Sequence, residues 1–393
     1  MELKRIHTPE GVRDIYGDEL TRKIQIKKII RKTLHKYGYM DIETPTFEFH
    51  DTFSEKVGTT PDNELYKFFD KEGNTLALRP DFTPSIARCA AKYFLEDSMP
   101  IKLRYEGSSF SNNLNLRGKL KESTHMGAEL INDGNTSYGD AEIISLVIHS
   151  LSDMGFEDFM VCIGDISYFK GICEEAGLSE DDINELREYV SIKNYFGAED
   201  VLIKKGVSRK YIECLLEVSE ISSVDELVAI KSKISNKEAL AAIDRLEAIY
   251  KLLSLEGIEK HISFDLSMIM RFDYYSGVVF RAYTYGVGDA IVKGGRYDKL
   301  LGKFGKDSTA IGFVFLVDDI MTALANQNIV PFIDRNYAIC VYKEDTYKEA
   351  MDKMNSLRAE GKFVSGIFKD DSKTKSDYEE YAAKNNSEIY FFV

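Results

Sequence analysis

What most restricts the fold of this chain is the way strand-like and helix-like periodicity divide it. Alternating, strand-forming stretches lie on both sides of a segment, 166–259, that carries Leu, Ile, Glu and Lys at helical spacing with almost no alternation. The first block, 1–165, opens with a helix over 18–37, where Ile26, Ile30, Leu34 and Tyr37 share a face and Gly38 marks the stop. Strands are expected at 39–44, 65–69, 75–78, 101–105, 123–131 and 159–163, with helices at 83–93 and 140–154. Strand character returns over 260–328, at 261–265, 278–285 and 289–292, before a tight turn at Gly294 and Gly295 and a last core helix over 318–326. From 335 to 393 strands at 337–342, 363–368 and 389–393 alternate with helices at 347–360 and 376–384. The reading is α+β: an antiparallel sheet flanked by helices, a helical insertion over 166–259, and a small C-terminal α/β domain.

Composition narrows what such a chain does. Five cysteines (Cys89, Cys162, Cys173, Cys214, Cys340) are scattered without a C-x-x-C pair, which fits reduced thiols and a cytoplasmic setting rather than zinc or disulfides. The first fourteen residues hold charges and a proline where a signal peptide needs an apolar run, and no stretch reaches the length of a membrane helix. A formal charge of −14 repels phosphate backbones, so tRNA is not an expected partner. The pair Gly305-Lys306 is no phosphate loop, since Leu300 and Asp307 occupy positions that need Gly and Ser or Thr. Six histidines are too dispersed for a metal site, and no cofactor is expected.

Six short motifs, in order, carry a resemblance. They are Thr8-Pro9-Glu10-Gly11-Val12-Arg13-Asp14, Ile42-Glu43-Thr44-Pro45, Leu78-Arg79-Pro80-Asp81-Phe82-Thr83, Arg104 to Phe110 leading into Gly118 to Glu129, Asp273-Tyr274-Tyr275, and Gly294-Gly295-Arg296-Tyr297-Asp298. Together they resemble the class II aminoacyl-tRNA synthetase core of histidyl-tRNA synthetase and of its non-synthesising paralogues, the ATP phosphoribosyltransferase regulatory subunits. The likeness spans about residues 5 to 325 and implies the class II antiparallel sheet.

In the synthetases three arginines stabilise the charge that builds on ATP during amino-acid activation. Carried over by motif, their places fall on Ser111, Met270 and Asp319. Arg271 stands one residue from the second place, where an extended backbone reverses its face. Each lost arginine costs roughly two to three orders of magnitude in rate. The resemblance therefore implies a chain without synthetase activity.

The histidine pocket is more nearly retained. By the same carry-over, Asp81 takes the α-ammonium with Thr83 beside it, Glu129, Tyr275 and Tyr297 take the imidazole, and His125 replaces an amide with a titratable ring. Each has a plainer reading. Asp81 and Glu129 also read as surface or capping carboxylates, Thr83 as the cap of the helix it opens, Tyr275 and Tyr297 as core aromatics, and His125 as a structural histidine. The resemblance implies a homodimer within a hetero-oligomer, docked on a short catalytic ATP phosphoribosyltransferase at the first step of histidine biosynthesis. That enzyme would need this chain for activity, with free histidine as feedback effector. It also implies that 335–393 is an abbreviated form of the synthetases' anticodon-binding domain. The alternative is a divergent histidyl-tRNA synthetase or a related ATP-dependent amino-acid-activating enzyme.

Overall fold

A computed structural model describes residues 6–54, 57, 60–112, 120–192, 194–216, 221, 223–268, 274–329 and 336–393. Two compact units divide the chain, Met1–Pro331 and Phe332–Val393.

The first unit is organised by one eight-stranded sheet. In chain order its strands and their neighbours are β1 (Met40–Asp41), then a small three-stranded sheet of β2 (Phe47–Phe49), β3 (Lys67–Phe69) and β4 (Thr75–Leu78). The large sheet continues with β5 (Ile101–Phe110), β6 (Glu122–Ile131), β7 (Phe159–Asp165), β8 (Ile262–Phe264), β9 (Val278–Thr284), β10 (Val292–Arg296) and β11 (Ala310–Leu316). Its order is β1-β5-β6-β11-β10-β9-β7-β8, antiparallel throughout except for the outermost pairs β1/β5 and β7/β8. Helices α1 (Gly17–Lys36), α2 (Thr83–Tyr93) and α3 (Ser137–Asp153) precede, among the described residues, a run of six helices, α4 (Ile166–Glu175), α5 (Glu180–Ser191), α6 (Tyr195–Lys204), α7 (Arg209–Leu216), α8 (Val224–Ala229) and α9 (Lys237–Leu255), between β7 and β8. Helix α10 (Val317–Asn326) follows β11 directly.

The pleat decides what each face of the sheet does. Met126, Ala128 and Leu130 of β6, Ile311, Phe313 and Phe315 of β11, and Val278, Phe280 and Ala282 of β9 project into one core with Ile26, Ile30 and Leu34 of α1 and Ile143, Val147 and Leu151 of α3. The same core runs on into the insertion through Ile172 of α4 and Leu246, Ile249 and Leu253 of α9. Local chemistry starts these helices: Asp165 accepts from Ser167 N–H to open α4, and Ser179 with Asp182 forms a capping box on α5. The opposite face of the sheet packs Tyr105, Ile131 and Tyr297 against Phe82 and Ile86 of the α2 region, and it leaves a cavity.

The second unit is a βαβαβ fold of β12 (Tyr337–Tyr342), α11 (Tyr347–Ala359), β13 (Phe363–Phe368), α12 (Lys375–Lys384) and β14 (Ser387–Phe392). Its parallel sheet has the order β13-β12-β14, and successive residues of β12 face opposite helices, Ala338 and Cys340 toward α11, Ile339 and Val341 toward α12.

Two expectations need correction. Gly294 and Gly295 form no turn; they lie within β10, paired on both sides, where a Cβ on Gly295 would come within 2.8 Å of the Tyr275 ring. Strand β11 was not expected from the sequence, although it lies between β6 and β10 in the middle of the sheet. Its run Ala-Ile-Gly-Phe-Val-Phe-Leu shows no polar alternation because Ile311, Phe313 and Phe315 enter the core while the equally apolar Gly312, Val314 and Leu316 line the cavity. Lys306, the discarded phosphate-loop lysine, is buried and donates to the carbonyls of Leu95 and Asp97. Among the described residues, no helix is long and apolar enough to cross a membrane.

Candidate ligand-binding site

On the cavity face, register brings distant motifs into rows. Glu129 of β6 stands opposite Gly312 of β11, which stands opposite Gly295 of β10. Two residues along, Lys293 of β10 faces Val314 on one side and Arg281 of β9 on the other. The glycines keep the floor low: any side chain at Gly312 would collide with the Glu129 carboxyl, and Tyr275 lies over Gly295. The result is a cavity of about 550 Å³ whose lining includes Asp81, His125, Glu129, Tyr274, Tyr275 and Tyr297, a size suited to a small ligand.

All six sequence-predicted pocket residues come together there or in its wall. Glu129 is 1% exposed; Thr83 Oγ1 donates to its Oε1 at 3.1 Å and the Tyr297 hydroxyl to its Oε2 at 2.6 Å. Burial pushes this carboxyl up to about 8, with Asp81 adding to the effect and the two hydroxyl donors opposing it. Thr83 therefore does not cap α2 with its side chain. Just before the helix, Asp81 Oδ1 accepts the N–H of Phe82 at 2.7 Å and of Thr83 at 3.4 Å, while its Oδ2 accepts the Tyr274 hydroxyl at 3.3 Å. Burial also raises the Asp81 carboxyl above its ordinary value, against the pull of these donors.

His125 turns out to be neutral rather than cationic. Burial lowers its pKa to about 4; Lys293 and Arg79 push the same way and Asp318 the other. Its Nε2 lies 3.1 Å from Ser123 Oγ, while Nδ1 is buried with no hydrogen-bond partner among the described residues. Tyr275 packs on Tyr274 at 4.6 Å between ring centroids, and its phenol is held above its ordinary pKa first by burial and then by Asp81.

Of the three places carried over from the synthetase arginines, Ser111 and Asp319 line the same cavity, and Met270 lies outside the described residues. Beside Asp319, Asp318 is engaged by Lys23 Nζ at 2.8 Å and by the Thr124 N–H at 2.7 Å.

Sequence reasoning passed over Tyr274, Gly312, Arg281 and Lys293. Tyr274 was visible as the middle of its motif. Gly312, whose Gly-Phe pair belongs to the last motif, takes its place from the β6/β11 register, and Arg281 and Lys293 take theirs from the β9/β10 register.

Comparison with known proteins agrees with this architecture. A family profile described as histidyl-tRNA synthetase matches residues 11–320. An ATP phosphoribosyltransferase regulatory subunit of Thermoanaerobacter sp. is 39% identical over 91% of this chain and 93% of its own length. The protein of the same name from Acetivibrio thermocellus is 37% identical over 91% of this chain and 85% of its own. A solved structure described as an ATP phosphoribosyltransferase regulatory subunit/histidyl-tRNA synthetase from Bacillus halodurans superposes with a TM-score of 0.87, at 27% identity and 98% coverage of both chains. Its cavity built on the class II sheet, and its likeness to these relatives along nine-tenths of its length, place the chain in the family of ATP phosphoribosyltransferase regulatory subunits, on the histidyl-tRNA synthetase fold.

Proposed function

We propose that this chain is a non-catalytic, cytoplasmic regulatory subunit, required by a short catalytic ATP phosphoribosyltransferase and conferring feedback inhibition by free histidine. The observation that carries the sensing role is the cavity itself. Two carboxyl groups, the half-buried Asp81 and the buried Glu129, stand among tyrosines with hydroxyl and amide donors and, among the described residues, no cation bonded to either. Such a site gains most from a ligand that supplies positive charge and ring N–H groups, as an α-ammonium at Asp81 and an imidazole at Glu129 do. Neutral His125 adds an unpartnered ring nitrogen without repelling that ligand.

A non-catalytic role is supported by Ser111 and Asp319 in the cavity wall, where synthetase chemistry calls for arginine. A carboxylate there opposes a polyphosphate. Exposed apolar side chains, Met40 beside β5, Phe47 and Phe49 on β2 and Phe69 on β3, supply a surface for a homodimer inside the larger assembly. Feedback then requires histidine to bind two states of the assembly with different affinity.

The test is phosphoribosyl transfer from phosphoribosyl pyrophosphate to ATP by a short catalytic subunit, with and without this chain, across a histidine titration. Activity that depends on the chain and falls with histidine is expected, and Asp81→Ala or Glu129→Ala should leave the activity but blunt the inhibition. Histidine-dependent pyrophosphate exchange by the chain alone, with no effect on the transferase, would make it an amino-acid-activating enzyme instead.

A further inference from the structure

Arg79 opens the run that carries Asp81 and Thr83, yet it does not line the cavity itself. It is 6% exposed, and among the described residues its guanidinium bonds only to backbone carbonyls. Nε donates to Ser108 at 2.7 Å, and Nη1 donates to Thr44 at 2.9 Å and to Pro45 at 3.4 Å. Its own N–H donates to the Thr46 carbonyl at 3.0 Å, so one residue holds three consecutive carbonyls, 44 to 46. Burial lowers its pKa, and Glu43 pulls the other way. A buried cation without a bonded carboxylate costs desolvation that an apolar residue of similar size would not, so packing alone does not account for it.

The same residue reaches toward the cavity. Its guanidinium lies 4.1 Å from the centroid of the Phe82 ring, which stacks on Tyr105 at 4.5 Å, and Tyr105 lines the cavity. Gly107 makes room for this stack, because a Cβ there would stand 2.5 Å from Arg79 Nη2 and 3.0 Å from the Phe82 ring. Two residues along from Arg79, Asp81 holds the N–H groups of Phe82 and Thr83, and Ser109 Oγ fixes the intervening Pro80 carbonyl at 2.7 Å. In the other direction, residues 44–46 lead straight into β2, where Phe47 is 50% and Phe49 62% exposed.

We propose that Arg79 is a positioning residue, the joint through which filling the cavity sets the 44–46 segment and the exposed β2 face that follows it. The proposal rests on the amino-acid-sensing reading and supplies the route by which an occupied pocket is felt at the surface given above to the homodimer. A ligand that draws Asp81 toward its ammonium shifts Arg79, and a planar fork bonded along two edges passes that shift to the carbonyls it holds. The linkage is reciprocal, so seating β2 against a second copy changes the pocket's affinity by the same factor.

The test is amide exchange of the full chain with and without histidine, in wild type and in Arg79→Lys, which keeps the charge but not the fork. In wild type, histidine is expected to slow exchange at Phe82 and Thr83 and also in the β2/β4 ladder, at 47–49 and 76–78, which does not line the cavity. In Arg79→Lys the protection should stay at 82–83, and histidine should bind about tenfold or more weakly in calorimetry. A role in stability alone would lower the unfolding midpoint and leave both the spread and the affinity unchanged. That result overturns the proposal, as does wild-type protection that stops at 82–83. Should Arg79→Lys not fold, the wild-type pattern alone decides. If wild type binds no histidine, the sensing reading fails and the linkage falls with it.

Discussion

Strand β10 separates two clusters of buried carboxylates that solve the same electrostatic problem differently. On the helix side, Arg296 is 1% exposed and reaches Asp133 at 2.6 Å, Asp140 at 2.7 Å and Asp298 at 3.2 Å, while Arg245 of α9 approaches Asp140 from the insertion at 2.6 Å. On the cavity side, the very next residue, Tyr297, offers Glu129 only a hydroxyl. The first cluster carries its own cations: Asp133 is held below its usual pKa by Arg296 despite its burial, and the guanidinium is held above its own. Among the described residues the second has neutral donors alone, and its carboxyl rises to about 8. One cluster is complete as built, binding the insertion to the sheet. The other has no such cation among the described residues, and the proposed ligand would supply it.

Removing the cation from the complete cluster should have the largest effect. Arg296→Ala strands Asp133 and Asp140 in the interior and is expected to destabilise the first unit by ~3–5 kcal/mol in urea unfolding. A loss near zero would mean that the network contributes nothing and that the contrast with the cavity is empty.

The incomplete cluster should respond in the opposite sense. Its folded pKa of about 8 lies above the unperturbed 4.5, so between these values the folded chain retains a proton that the unfolded chain has released. Stability from this group is complete below pH 4.5 and is lost as pH rises through 8. Glu129→Gln removes that loss. In the absence of ligand the variant should be more stable than wild type at pH 8.5, by a few kcal/mol at most, with the two converging at pH 4.5. Parallel pH profiles would show that Glu129 is already charged and compensated.

A smaller change sharpens the comparison. Arg245→Ala takes one of two cations from Asp140 and leaves Arg296 in place. The expected cost is ~1–2 kcal/mol, well below that of Arg296→Ala, with α9 showing faster amide exchange.

Much of this was legible from sequence, for reasons that particular residues make plain. Helix α2 was located at its observed bounds, and α1 and α3 to within a few residues, because their apolar positions recur at helical spacing. The pocket residues were found through motifs, but what each does was not. Asp81, not Thr83, serves the start of α2, and His125 is neutral because of burial and of Lys293, a residue 168 positions away in sequence. Strand β11 shows no polar alternation because its cavity-facing residues, Gly312, Val314 and Leu316, are as apolar as those in the core, so the register that sets Gly312 beneath Glu129 stays hidden, as does the β9/β10 register that sets Lys293 opposite Arg281. Patterns along the chain report which face of an element is buried; which partners meet across strands is fixed only by the fold.

The central claim is that Glu129 waits for a ligand's positive charge. Calorimetric titration of histidine into the wild-type chain and into Glu129→Gln at pH 7 tests it most directly. The account predicts single-site binding to wild type and at least about tenfold weaker binding to the variant, which keeps the shape of the side chain but cannot become an anion. Equal affinity in the two proteins, or no binding to wild type, would contradict it.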